Sequence, residues 1–270
     1  MKTFSAAIIQ MKSGPDKVAN LARAVASVEE AATAGAELVA LPEVFLWRGP
    51  HDLEREQAEP IPGPSSDVMS ALARRLNIHL VAGSILESRD GEELPYNTTT
   101  MFGPDGDLLA RYRKIHLFDV DLPGRVTIRE SDLRAPGNEV VSVETSLGRI
   151  GLAVCYDLRF PELFRRLAEA GTEIVVMPAA FTRPTGQAHW ETLLRARAIE
   201  NQCFVLAPNQ YGAGSQGLYD YGHSLIVDPW GVVLASGPSE DAAVVTAKLD
   251  GLELDRVRRE LPSLTHRRLF

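Results

Sequence analysis

Ala34-Gly35-Ala36-Glu37-Leu38-Val39-Ala40-Leu41-Pro42-Glu43-Val44-Phe45 and Ala170-Gly171-Thr172-Glu173-Ile174-Val175-Val176-Met177-Pro178-Ala179-Ala180-Phe181 carry one pattern twice. In each copy an alanine-rich helix ends at a glycine, an apolar strand follows, and proline stops the strand. A second pair lies further along each half. Tyr96-Asn97-Thr98-Thr99-Thr100-Met101-Phe102-Gly103-Pro104-Asp105-Gly106 is echoed by Tyr221-Gly222-His223-Ser224-Leu225-Ile226-Val227-Asp228-Pro229-Trp230-Gly231. Each reads as a strand entering a Pro/Gly turn and a second strand. The order in each half is therefore strand, helix, strand, helix, strand, turn, strand. Helical patterns fall near residues 18–34, 67–77, 161–170 and 190–201.

The strands near 38–41 and 173–177 are apolar throughout, which suits sheets covered on both faces. The expected fold is α/β: a four-layer α-β-β-α sandwich of two mixed sheets with an internal pseudo-two-fold, forming one domain over residues 1–270. Chance recurrence of Ala, Gly and Val is the competing reading. Nothing in the chain looks like an interdomain linker; Pro60-Ile61-Pro62-Gly63-Pro64 and residues 118–137 read as loops, and long loops tend to carry function.

Composition limits what the chain can do. Hydrophobic residues make up 45% and charged residues 24%, so a packed core is expected. The formal net charge of -8 repels phosphate backbones and anionic lipid surfaces, leaving small molecules or proteins as partners, with no nucleic acid and no membrane. Cys155 and Cys203 sit in apolar runs without CxxC spacing, so neither a disulfide framework nor a metal knuckle is indicated, and a cytoplasmic chain is expected. The apolar run after Met1 stops at Gln10, too short for a signal peptide, and no segment reaches the roughly 20 apolar residues that span a bilayer.

Ligands in open α/β sheets collect beyond the carboxyl ends of strands. Glu43 follows the run 38–42, Lys114 follows the strand 108–112, and Cys155 closes Ile150-Gly151-Leu152-Ala153-Val154. A thiol, a carboxylate and an ammonium make a coherent set for acyl transfer. Glutamate can take the thiol proton and return it to the departing nitrogen. The lysine would lower the thiol pKa and, with the backbone N–H of Tyr156, stabilise the tetrahedral oxyanion. At about 4 Å and an effective dielectric of about 20, each charge pair is worth about 4 kcal/mol. Such a set needs neither metal nor cofactor, and none is expected. Each residue also has a plain reading: a free cysteine in a strand is usually core, as Cys203 is taken to be, and lone Glu or Lys residues are usually solvated. Spacing alone does not decide between the two.

Leu41-Pro42-Glu43, Arg113-Lys114-Ile115-His116-Leu117-Phe118 and Val154-Cys155-Tyr156-Asp157-Leu158-Arg159-Phe160-Pro161-Glu162-Leu163 resemble, in order, the three catalytic motifs of the nitrilase superfamily and its Nit amidase branch. The likeness continues through Arg129-Glu130-Ser131, His189-Trp190-Glu191, Arg195-Ala196-Arg197-Ala198-Ile199-Glu200 and Gly222-His223-Ser224, over nearly the whole chain. It implies Glu43 as general base, Lys114 as oxyanion stabiliser, Cys155 as nucleophile and Glu130 as a second active-site glutamate near the lysine. It also places Arg159 on a substrate carboxylate, with Phe181 and Thr185 as further pocket residues. Arg159 could instead cap its helix or pair with Glu162. His189 and His223 are taken as structural hydrogen-bonders.

The implied reaction is hydrolysis of the terminal amide of a small carboxylate-bearing substrate through a cysteine thioester, with release of ammonia. Residues 193–203 and the His266-Arg267-Arg268 ending resemble deaminated-glutathione amidases, and residues 114–121 resemble omega-amidases acting on 2-oxoglutaramate or 2-oxosuccinamate. The first is preferred. The resemblance further implies a homodimer through helices 161–170 and 190–201, the first presenting Phe164 and Leu167 as exposed apolar residues. The ending at Leu269-Phe270 lacks the family's acidic and aromatic tail. Other classes remain: a Cys-His hydrolase using His116 or His223, a silent binding or scaffold module, and a redox thiol, for which no resolving cysteine is near.

Overall fold

The computed structural model describes residues 1–124, 126–214 and 217–269. Strand β1 (Phe4–Gln10) leads into helix α1 (Lys17–Thr33), whose first turn is capped by the Asp16 carboxylate on the Ala19 N–H at 3.0 Å. Strand β2 (Leu38–Ala40) is followed by the short α2 (Glu54–Gln57) and by α3 (Pro64–Leu76), where Pro64 starts the helix and Asn77, left-handed at φ 54°, ends it. Strands β3 (His79–Glu87), β4 (Tyr96–Phe102) and β5 (Leu108–Arg113) complete the first half.

A hairpin of β6 (Asp119–Leu122) and β7 (Val126–Arg129) comes next, then β8 (Ser142–Thr145), β9 (Gly148–Leu152), α4 (Pro161–Glu169) and β10 (Ile174–Val176). Helix α5 (Arg183–Asn201) precedes β11 (Phe204–Ala207), a hairpin of β12 (Tyr211–Ala213) and β13 (Tyr219–Tyr221), then β14 (Leu225–Val227) and β15 (Val233–Ser236). Strand β16 (Ala243–Leu249) and α6 (Gly251–Glu260) follow.

Among the described residues the two large sheets run β16-β1-β2-β3-β4-β5 and β8-β9-β10-β11-β14-β15. Their directions match strand for strand: the outer first strand antiparallel, the next two pairings parallel, the last two antiparallel. The sequence duplication is thus a duplication of sheets, and β16 returns from the far end of the chain to fill, beside β1, the place that β8 takes beside β9.

Alternation in the strands builds the layers. Ala6, Ile8, Leu38 and Ala40 join one core with Ile150, Leu152, Val175 and Leu206 of the second sheet. Their neighbours Ala7, Ile9, Val39 and Leu80 face the other way, onto Ala24 and Val28 of α1 and Met69 and Leu72 of α3. Helices α4 and α5 cover the second sheet through Leu163, Phe164, Leu167, Trp190 and Leu194. The result is α-β-β-α.

Four sequence expectations change. The sheets hold strands that the motif order omitted: β3 and β11 follow their helices within three residues, with no intervening glycine or proline to punctuate them. Residues 118–137 contain the β6–β7 hairpin rather than only loop. Helix α5 starts at Arg183, because Pro184 fits its first turn, seven residues before the expected 190. Phe164 and Leu167 are buried at 1% and 0% exposure, so the outer face of α4 is the polar one of Glu162, Arg166 and Glu169, and these two residues cannot anchor a partner. Phe270 lies outside the described residues. Among those described, no helix is long and apolar enough to cross a membrane.

Candidate active site

Proline stops β2, and the chain turns at Glu43. The turn is held from β3: Gly83, at φ 41°, lets the strand bulge so closely that a Cβ there would lie 2.3 Å from the Pro42 carbonyl oxygen. Ser84 then takes the Val44 N–H on its Oγ at 2.9 Å and the Phe45 N–H on its carbonyl at 3.1 Å. Val44 sits at φ 45°, a conformation a β-branched residue adopts only when its surroundings impose it.

Cys155 opens a 3₁₀ turn (Cys155–Arg159) just beyond β9, itself at φ 44°, with its N–H donating to the Pro178 carbonyl at 2.9 Å. Lys114 is the first residue past β5. Glu130 opens a second 3₁₀ turn (Glu130–Asp132) after β7.

These side chains meet at one cavity. Lys114 Nζ donates to Glu43 Oε1 at 3.0 Å and to Glu130 Oε2 at 2.8 Å. Glu43 Oε1 also accepts from Asn97 Nδ2 at 2.8 Å, and Oε2 accepts from the Ala180 N–H at 2.8 Å. Glu130 is further held by the Phe118 N–H at 2.6 Å and by Arg134 Nη1 at 2.8 Å, while Arg134 grips Glu54 with two 2.8 Å bonds. The chain of alternating charge, Glu54–Arg134–Glu130–Lys114–Glu43, is almost wholly removed from water.

Its electrostatics follow from that burial. Desolvation works against the Lys114 ammonium, yet Glu130, Glu43 and Cys155 together hold its pKa above the ordinary lysine value. Desolvation pushes the Glu130 carboxyl up, but Lys114 and Arg134 outweigh it and bring it down to about 2. Cys155 behaves otherwise: burial, then the Glu43 charge and a hydrogen bond to it, raise the thiol well above its ordinary value, and Lys114 and the Ala180 N–H only partly offset them. The expected lowering of the thiol pKa by lysine is therefore outweighed, and the resting sulfur is protonated beside a carboxylate able to receive the proton.

The main cavity encloses roughly 700 Å³ of atom-free space, its open mouth included, and Glu43, Lys114, Glu130 and Cys155 all line it. Arg134, Arg48, Trp47 and Leu218 form its farther walls. Each lysine and arginine lining it is ion-paired, Arg48 with Asp220. A smaller recess of about 190 Å³, sharing Cys155 with it, is lined by Phe118, Tyr156, Phe181, Thr182 and Thr185, so Phe181 and Thr185 belong to it.

Arg159 lines neither space directly. Its guanidinium lies 5.7 Å from the Tyr156 ring centre and 5.2 Å from that of Phe181, with Nη1 3.2 Å from His189 Nδ1. Among the described residues it has no carboxylate partner, Glu162 included. His116 points its Nδ1 at Asp157, 2.6 Å away, and stacks on Phe160, and His223 accepts the Trp190 indole N–H on its backbone carbonyl. Cys203 is a buried core thiol raised to about 12 by desolvation.

Asn97, Glu54, Arg134, Arg48 and Asp220 are the site residues the sequence reading missed. Asn97 alone left a signal, as a polar side chain opening a strand where the second copy of the pattern has Gly222.

The model of the carbon-nitrogen hydrolase family matches residues 5–259. The human protein named omega-amidase NIT2 is 42% identical over 99% of this chain and 96% of its own length. A deaminated glutathione amidase of Synechocystis is also 42% identical, over 99% of each chain. The crystal structure of the C. elegans NitFhit protein superposes with a TM-score of 0.90 at 38% identity, covering 99% of this chain, which spans 66% of that one.

Proposed function

This chain belongs to the carbon-nitrogen hydrolase family and is an amidase, and we propose that its Cys155 attacks the amide carbonyl with Glu43 as base and Lys114 as oxyanion partner. The observation that carries this reading is that the Glu43 carboxylate, bonded to the Lys114 ammonium at 3.0 Å, lines one cavity together with Lys114 and Cys155.

Because the resting thiol is protonated, attack and deprotonation proceed together. Glu43 takes the proton as the S–C bond forms, and the carbonyl oxygen, now negative, faces Lys114 and the Tyr156 N–H. Collapse breaks the C–N bond, and Glu43 hands its proton to the departing nitrogen, leaving a thioester. Water then gives a proton to Glu43 and its oxygen to the thioester carbon; the second collapse expels the thiolate, which recovers the proton. Glu130, ionised and anchored by Arg134, keeps the ammonium in place and is not itself the base.

The leaving nitrogen must face Glu43, so the main cavity takes the amine side and the recess of Tyr156, Phe181 and Thr185 the acyl side. Arg159, free of carboxylates and poised over two of the recess's rings, is the substrate-carboxylate partner in this reading. Space beyond the scissile bond supports a substituted amide, hence deaminated glutathione, whose leaving group is a dipeptide amine. Ammonia release, expected from the sequence for both readings, is here confined to the second, an omega-amidase acting on 2-oxoglutaramate or 2-oxosuccinamate, because the amide nitrogen of deaminated glutathione leaves as a substituted amine; relatives of both names are 42% identical. The reading includes a single domain, a cytoplasmic setting in keeping with two free cysteines, and a homodimer through the polar faces of α4 and α5.

Assaying ammonia and free α-amine separately, on a panel of deaminated glutathione and ω-amides, tests the assignment. Glu43→Gln should lose at least about 100-fold in kcat, the usual worth of a general base, and His116→Ala much less. A dead His116→Ala beside an active Glu43→Gln would put a Cys-His mechanism in its place.

A further inference from the structure

Tyr112 and His116 lie two residues to either side of Lys114, and both turn to the same carboxylate, Asp157, two residues beyond Cys155. Asp157 Oδ2 accepts the Tyr112 hydroxyl at 2.6 Å and the Val154 N–H at 2.8 Å. Its Oδ1 accepts the His116 N–H at 3.1 Å and lies 2.6 Å from His116 Nδ1. The carboxylate is fully buried, so each of these bonds forms where water cannot replace it. Burial and Asp157 also hold the Tyr112 phenol well above its ordinary pKa, so it stays a donor.

We infer that Asp157 is a positioning residue that clamps the turn bearing Cys155 to the strand end bearing Lys114, with Tyr112 and His116 as its two arms. Geometry makes the case. Asp157 bonds the backbone immediately before Cys155, in a turn whose nucleophile has the uncommon φ of 44°, and spans to both flanks of Lys114. One side chain thereby ties the backbone that carries the sulfur to the strand end that carries the ammonium. His116, whose Nδ1 is committed to Asp157 and whose ring lies 3.7 Å from that of Phe160 at 6°, is an arm of the clamp and not a base. Displacing a catalytic group by an ångström can cost about 100-fold without changing any group that does chemistry.

The inference rests on the reading of Cys155 and Lys114 given above, and the experiment separates the two. Steady-state kinetics of Asp157→Ala, Asp157→Asn and Tyr112→Phe are measured beside the rate and pH midpoint of Cys155 alkylation by iodoacetate, which breaks a C–I bond and contains no amide. Tyr112→Phe removes a hydroxyl and no charge. Glu43 and Lys114 are the charged groups acting on the thiol, and Lys114 pulls its pKa down. Loosening the clamp changes the thiol's distance from both, so the alkylation midpoint of Tyr112→Phe shifts away from that of the wild type. Asp157→Ala should lose about 100-fold or more in kcat with KM within about threefold, and Asp157→Asn, which keeps an acceptor oxygen, should recover at least about tenfold of that.

Tyr112→Phe and Asp157→Asn both at wild-type kcat, with an unmoved alkylation midpoint, would overturn the clamp. If Cys155→Ala still hydrolysed amides, the amidase mechanism would fall instead, and the alkylation midpoint alone would decide the role of Asp157.

Discussion

Cys155 and Val44 hold left-handed backbone conformations at 44° and 45°, one at the sulfur and one directly after the glutamate, and each is held by its N–H, that of Cys155 on the Pro178 carbonyl and that of Val44 on the Ser84 hydroxyl. Glu43, Lys114 and Cys155 were legible in the sequence because each stands at a strand end inside a motif resembling one of the nitrilase superfamily's three; strand-end position alone did not choose them. Arg134, Glu54, Arg48 and Asp220 were not. Their pairs join residues 80 and 172 positions apart, and local periodicity carries no trace of such contacts. Glu130 allows a test at this scale. A carboxyl brought from 4.5 down to about 2 stabilises the fold above its ordinary pKa and loses that contribution as the pH falls through 4.5 toward 2. Thermal midpoints measured across that range should fall less steeply for Glu130→Gln than for the wild type; parallel curves would refute the assignment of Glu130 as the ionised, doubly paired carboxylate.

At the scale of elements, helices were readable and their faces less so. The pattern placed α4 within a residue of its observed end, yet left Phe164 and Leu167 as surface residues, because a nine-residue helix gives too few turns to fix its buried stripe without knowing what lies beneath. What lies beneath is β9. Gly151 leaves room there, since a Cβ on it would come within 2.9 Å of Leu167 Cδ2 and 3.0 Å of Thr172 Cγ2. Leu167 therefore locks α4 onto the strand that leads into the Cys155 turn. Leu167→Ala is expected to cost about 2–5 kcal/mol in denaturant unfolding, as for other buried leucines. A loss under about 0.5 kcal/mol would return Leu167 to the surface and revive α4 as an apolar docking face.

Over the whole molecule, the duplication read from two short stretches extends to the order and direction of every strand in both large sheets. It does not extend to the chemistry. Ala179 stands in the second copy where Glu43 stands in the first, and that copy's loop serves the working site instead: Pro178 accepts the Cys155 N–H, and Ala180 donates to Glu43. One chain thus carries one site with the proposed nucleophile, framed by the strand ends of both halves. The most direct test is the rate of amide hydrolysis by Cys155→Ala, with its thermal midpoint checked against the wild type. A single-site thioester mechanism predicts a folded protein whose hydrolysis is indistinguishable from the uncatalysed background, and turnover within about tenfold of the wild type would contradict it.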